Sequence, residues 1–395
     1  MKFSSLTERV AGDGIDAWAV HYAALARRDA GEDVIVMSVG QENDEVTPPH
    51  IVEAATASLR AGRHHYTPVN GNLDLRRALA RHHRARTGQV VDENHCAIFA
   101  GAQNALFALA QCLLEHGDEV ILSEPYYTTY PATFSGSGAA LVCVPASFES
   151  GFQIDAAAIS AAVTERTRAI VINSPSNPAG AICAQKDYEK LLEICLQKNI
   201  WLICDDVYCE LLHPHERTTA AALPGAERVC VTVSSLSKSH RMTGWRLGWA
   251  VGPHELTRRL YDLAMCMSYG LPAFIQDAAL AALEDDDATA HDIRAKLDRR
   301  REVLRGEFSG APGMRVWCAP GCMFALLDIS ALPVSAKQFA EELLARHDVA
   351  ILPCDGFGAS CANFLRVSLS VDEPQLGEAC RRIAAHARSL QRAAA

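Results

Sequence analysis

Four short runs of this 395-residue chain bring together side chains that covalent chemistry uses. Gly101-Ala102-Gln103 follows the apolar run 95–100, and Asn173-Ser-Pro-Ser-Asn177-Pro-Ala-Gly180 follows 169–172. Asp205-Asp-Val-Tyr208 follows 200–204; Ser234-Ser235-Leu-Ser-Lys238 follows 229–233, with Arg246 eight residues past the lysine. A glycine at the mouth of a helix gives a ligand access to the backbone, and the first N–H groups of that helix attract an anion. A lysine flanked by hydroxyls, near an arginine and an anion loop, suits an aldehyde cofactor that carries a phosphate. Pyridoxal phosphate meets that description. Its aldehyde condenses with an amine to a Schiff base, and its ring nitrogen pairs with an aspartate that keeps it protonated and electron-withdrawing. Tyrosine and asparagine can hydrogen-bond the ring's phenolic oxygen. An aromatic from Glu124-Pro-Tyr126-Tyr127 can cover the ring face.

These runs need a scaffold that delivers them to one place. Val-, Ile- and Leu-rich stretches at 95–100, 119–122, 139–144, 169–172, 200–204, 229–233 and 247–251 read as strands buried on both faces. Helical patterns at 102–115 and 186–198 alternate with them. The pattern predicts an α/β fold with a large, doubly wound, mostly parallel sheet, where ligands bind beyond the carboxyl ends of the strands. Beyond about residue 285 the composition changes. A charged helix over 285–305 leads into strands at 314–318, 323–328, 349–352 and 364–370, with helices near 336–346 and at the C-terminus. The expected division is an N-terminal segment 1–40 joining the smaller domain, a large cofactor-binding domain 41–285, and a small α+β domain 286–395.

Composition narrows the function classes. With 37 Lys and Arg against 47 Asp and Glu the net charge is −10, which repels phosphate backbones and argues against nucleic-acid partners. No apolar run approaches the roughly 18 residues of a membrane span, and the start lacks a signal peptide's apolar core, so a cytoplasmic protein is expected. The 14 cysteines form no CxxC pair and mostly sit in apolar runs, as reduced, buried thiols do. His64-His65, His82-His83 and the pair His213 and His215 lack the spacing of a closed metal site, so no metal is expected.

The run Ser-Leu-Ser-Lys238-Ser-His-Arg-Met-Thr-Gly-Trp-Arg246 resembles the lysine signature of the class I/II (fold-type I) aminotransferases. Asn177-Pro-Ala-Gly, Asp205-Asp-Val-Tyr208, Tyr66-Thr-Pro-Val-Asn-Gly71 and Asn363-Phe-Leu-Arg366-Val-Ser are similar to further family segments, in family order. The resemblance implies Lys238 as Schiff-base lysine and proton carrier, with Asp205 on the pyridine nitrogen and Tyr208 and Asn177 on the phenolic oxygen. It implies Tyr127 stacked on the ring and a phosphate held by Gly101, Ala102, Gln103, Ser235, Arg246 and the partner subunit's Tyr66. Arg366 would fork onto the substrate α-carboxylate near Asn177, with Gly40 leaving backbone room and Trp18 lining the pocket. A homodimer follows, with Tyr269 near its boundary, and so does ping-pong transfer between an amino acid and a 2-oxo acid.

Longer matches at 11–18, around Lys238 and at 263–278 resemble the family branch that uses L-arginine and pyruvate; aspartate-, aromatic- or kynurenine-type transamination and C–S lysis are the alternatives. Gly40-Gln-Glu42-Asn-Asp44-Glu45 departs from the family pattern, and Glu42 or Glu45 is expected either to face a cationic substrate group or to sit in a solvated loop. Arg241, where relatives carry a small residue, has no sequence-level account.

Overall fold

The computed structural model describes all residues except 12–17, 43–45, 286, 311–312 and 395. Its main sheet contains β1 (Cys96–Phe99), β2 (Glu119–Glu124), β3 (Ala140–Pro145), β4 (Thr167–Asn173), β5 (Trp201–Asp205), β6 (Cys230–Ser235) and β7 (Gly248–Val251), in the order 1-7-6-5-4-2-3. Only β7 runs antiparallel to its neighbours. Alternate residues along these strands enter separate cores. Val120, Leu122, Ala169, Val171 and Ile203 pack with the helices Ala102–Leu113 and His254–Met267, whereas Ile121, Ile170, Ile172, Leu202 and Cys204 pack with Ala156–Ala162 and Gln185–Lys198. Helices on both faces explain the unbroken apolar strands.

Strand positions read from sequence stand with small shifts. His95 lies in a short 3-10 turn, where its Nδ1 approaches the Asp92 carboxylate at 2.8 Å, so β1 starts at Cys96. A second sheet holds β8 (Arg315–Trp317), β9 (Phe324–Asp328), β10 (Leu352–Pro353) and β11 (Phe364–Ser368), antiparallel in the order 10-11-9-8. The stretch expected as one strand over 349–352 is split. Val349–Ala350 pairs in parallel with Ile35–Val36, and only Leu352–Pro353 joins the second sheet. Val20, Ala24 and residues 34–37 share one core with Ile293, Leu297, β9, β11 and the helices Ala336–His347 and Glu373–Ala394. The chain's beginning thus packs with its end. No helix among the described residues is long and apolar enough to cross a membrane.

The charged stretch expected over 285–305 forms the helix Ala288–Glu307, yet several of its arginines are interior. Arg300 is 2% exposed, and its Nη1 lies 3.0 Å from both carboxylate oxygens of Glu42. It also donates to the Leu369 carbonyl at 3.0 Å. Removing one member of such a pair strips the other of its buried counter-charge. Arg300→Met is expected to lower unfolding stability by about 3–5 kcal/mol, and Glu42→Gln in addition to recover much of that loss. Denaturant titration of the two variants checks this; a single variant as stable as wild type contradicts it.

Candidate active site

β4 and β5 end side by side, with Asn173 opposite Asp205. The Asn173 amide donates to the Asp205 carbonyl at 2.9 Å and accepts from the Asn177 N–H at 2.8 Å, fixing the loop after β4 across the strand ends. Asp205 is 6% exposed. Its Oδ2 accepts from the Tyr130 hydroxyl at 2.5 Å and its Oδ1 from the Val207 N–H at 3.2 Å. Burial pushes this carboxyl up to about 6, against the pull of those two donors. The adjacent Asp206 turns away and accepts from Arg86 at 2.7 Å.

β6 leads into Lys238, whose Nζ donates to the Gly40 carbonyl at 2.5 Å. Burial, helped by the charges of Arg366 and Arg246, lowers the amine to about 8, so a neutral amine is accessible near neutral pH. A cavity of about 160 Å³ lies between lysine and aspartate, lined by Ala102, Gln103, Tyr127, Asn177, Asp205, Tyr208, Ser235, Lys238 and Arg246, with Tyr130 beside them. The Asn177 amide donates to the Tyr208 hydroxyl at 3.3 Å. A larger space of about 680 Å³ also borders Lys238 and is lined by Gly40, Glu42, Arg241 and Phe274 among others.

The helix Ala102–Leu113, whose first residues line the same cavity as Asp205, begins at Gly101 with no side-chain cap. Gly101 has φ +90°, and a β-carbon there would run into the Arg246 guanidinium. One at Gly248 would run into the Ala102 nitrogen. Arg246 therefore lies against an uncapped helix N-terminus, next to Ser235, which is an anion cradle. Cradle, buried carboxylate and amine match the phosphate, ring nitrogen and aldehyde of pyridoxal phosphate, so the residues fit that group.

Arg366, from β11, is 1% exposed. Its Nη1 donates to Asn177 Oδ1 at 2.8 Å and its Nη2 to the Ser38 carbonyl at 2.6 Å, while its Cζ lies 4.0 Å from the Phe324 ring centre. Nε has no hydrogen-bond partner among the described residues. A β-carbon on Gly40 would strike the Phe324 ring, which explains the glycine. Trp18 lies 5.9 Å from the guanidinium carbon.

Some expected residues stand apart. Gln103 turns its side chain away, accepting from Thr129 at 2.7 Å and donating to Thr133 at 2.6 Å, and so offers the cavity its backbone. Tyr66 is 88% exposed and meets Tyr269 edge-on at 5.3 Å, outside the Lys238 cavity. Glu42 is not a solvated loop residue, because Arg300 takes its carboxylate; Glu45 lies outside the described residues. Arg241 lines the larger space with φ +53°, but its guanidinium pairs with Asp292 at 2.6 Å and its carbonyl accepts from Thr47 at 2.8 Å. It ties two loops to the helix Ala288–Glu307. Tyr130 was not singled out in the sequence; the nearby Tyr126-Tyr127 pair marks the right segment, yet no local spacing reveals a bond to a carboxylate 75 residues away.

Residues 32–383 match the family of class I and II aminotransferases, and the chain belongs to that family of pyridoxal-phosphate-dependent enzymes. Among its relatives, the chain is similar to an arginine–pyruvate transaminase of Pseudomonas aeruginosa, 46% identical over 390 residues that cover 99% of each chain. The aspartate/prephenate aminotransferase of Thermus thermophilus is 33% identical over 368 residues, 93% of this chain and 94% of that one. The solved structure of Thermus thermophilus aspartate aminotransferase with maleate superposes with a TM-score of 0.92 at 30% identity, covering 98% of this chain and all of that one.

The raised Asp205 carboxyl makes a stability prediction for the cofactor-free protein. The folded state holds this proton more tightly than the unfolded one, so the stabilisation is full below the ordinary value of 3.8 and is lost as pH rises through about 6. Asp205→Asn is expected to stabilise the apoprotein by about 2–3 kcal/mol at pH 8 and hardly at all at pH 4. Unfolding curves at the two pH values test it, and an equal effect at both contradicts it.

Proposed function

We propose that this enzyme moves the amino group of L-arginine to pyruvate by a ping-pong mechanism, as a cytoplasmic homodimer. One observation carries the choice of substrates. The relative whose name pairs arginine with pyruvate matches the chain from end to end, at higher identity than the aspartate-type relatives. The organisation that fits this reading is a cofactor-binding domain over 41–285 and a smaller domain over 286–395, to which residues 1–40 attach.

When bound, pyridoxal phosphate supplies a carbonyl for amine exchange and an electron sink for the pair left as the α-proton departs. The chain's residues do the rest. Lys238 has an amine whose lowered proton affinity suits it to take a proton from the substrate carbon and return it. Asp205, supported by Tyr130, keeps a negative charge at the ring nitrogen. Tyr208 and Asn177 provide hydrogen-bonding groups for the phenolic oxygen, and Tyr127 an aromatic face. Arg246, Ser235, Gly101 and the N–H groups of Ala102 and Gln103 suit the phosphate, with Tyr66 of the partner subunit completing the set. The exposure of Tyr66 supports a role across a subunit boundary. Arg366 and Asn177 serve the α-carboxylate that both substrates share.

The enzyme loaded with pyridoxal phosphate is expected to show the visible absorbance of lysine-bound cofactor, and Lys238→Ala to lose it. Offered amino acids one at a time, the wild type should convert fastest to the pyridoxamine form with L-arginine and return with pyruvate. Faster conversion by aspartate or an aromatic amino acid overturns the substrate assignment; ammonia release without any 2-oxo acid indicates a lyase.

A further inference from the structure

His21 belongs to none of the motifs above, yet it stands behind the Arg366 fork. It lies in the first turn of the helix Ala19–Asp29 and is half-buried. Its Nδ1 is 2.8 Å from the Ser38 hydroxyl, and its ring meets Trp18 edge-to-face with centroids 5.5 Å apart. Both neighbours border the guanidinium. The Ser38 carbonyl accepts from Arg366 Nη2 at 2.6 Å, and the Trp18 ring lies 5.9 Å from Cζ. One imidazole therefore touches the two groups that flank the arginine on this side.

The backbone explains why such a support matters. Met37 is pinned to the core it shares with β9 and β11, its N–H donating to the Ala350 carbonyl and its carbonyl accepting from the Ser368 N–H, each at 2.8 Å. Three residues on, the Gly40 carbonyl accepts from Lys238. Ser38 lies where the chain leaves the first anchor for the second, and its hydroxyl's contact with His21 restrains the direction of its carbonyl. Burial and the charges of Arg366 and Arg28 hold His21 below its ordinary value, so a neutral ring adds no competing cation beside the fork.

We propose that His21 is a positioning residue for substrate binding: through Ser38 and Trp18 it fixes the Arg366 guanidinium in the orientation that receives the α-carboxylate. This rests on the reading of Arg366 as the carboxylate ligand. The carboxylate is common to the amino donor and the 2-oxo acid, so a loosened fork weakens both to the same degree. It leaves the proton transfer at Lys238 untouched.

The test is steady-state kinetics of the holoenzyme with the amino acid and 2-oxo acid it turns over fastest. His21→Ala is expected to raise KM for both substrates together, by about tenfold, the effect of loosening one charge-assisted hydrogen bond. kcat should stay near the wild-type value. His21→Asn keeps a polar group at the Nδ1 position and is expected to restore both KM values. Should His21→Ala fold poorly, Ser38→Ala breaks the same contact from the other side and is read in the same way. A fall in kcat or cofactor content at unchanged KM, or a rise for one substrate only, overturns the proposal. Arg366→Lys separates the two layers. If it raises both KM values while His21→Ala raises neither, the positioning role alone fails; if it too changes nothing, the carboxylate reading fails and this proposal with it.

Discussion

A carboxylate removed from water keeps its charge only where donors or a cation replace the lost hydration, and Asp205 stands on that balance. It ends β5, the middle strand of the seven, and only Tyr130 and Val207 donate to its side chain among the described residues. Two donors do not fully offset burial, as the raised proton affinity shows. On the proposed reading, the protonated ring nitrogen of bound pyridoxal phosphate would supply the missing positive charge. The cofactor would then fill a deficit built into the site, and that deficit would tie cofactor affinity to the electron demand of the chemistry. The neighbouring strands follow from the same centre: β4 brings the Asn173–Asn177 loop on one side, and β6 brings Ser235 and Lys238 on the other.

On the proposed reading, the second sheet contributes the part that meets the substrate. Arg366 projects from β11 and is held by Asn177 from the main sheet and by Ser38 from the N-terminal segment. Three distant stretches of chain therefore converge on one guanidinium. Phe324 packs over it and also excludes any side chain at Gly40, whose carbonyl meets Lys238. On that reading, movement of the core around the second sheet would shift the carboxylate-binding arginine and the lysine's resting partner together.

The ordered motifs made much of this readable in advance. Asp205 ends a strand and Asn177, Tyr208, Lys238 and Arg246 follow strand ends, and a parallel sheet collects strand ends along one edge. Residues that act through a distant partner were hidden. Glu42 looked like part of an acidic loop because Arg300 is 258 positions away. Arg241 looked anomalous because its counter-charge, Asp292, is on a helix that starts 47 residues later. Tyr130 and His21 have the sequence context of ordinary helix packing, and only the fold shows that one meets Asp205 and the other Ser38. The split at 349–352 was hidden for a similar reason, since its first half pairs with residues 35–36, more than 300 positions earlier.

On the arginine–pyruvate reading, one cavity must receive a long cationic side chain in one half of the cycle and a methyl group in the other. A lone buried acid would serve the first and burden the second, because nothing would neutralise it while pyruvate is bound. Glu42 borders the space beside Lys238 but carries Arg300 as its counter-ion, and Arg241 borders it with Asp292 paired. Among the described residues, Glu42 and Arg241 therefore present compensated charges to this wall rather than bare ones. On this reading, neither of these two charges is left uncompensated when the methyl group of pyruvate takes the place of the longer side chain.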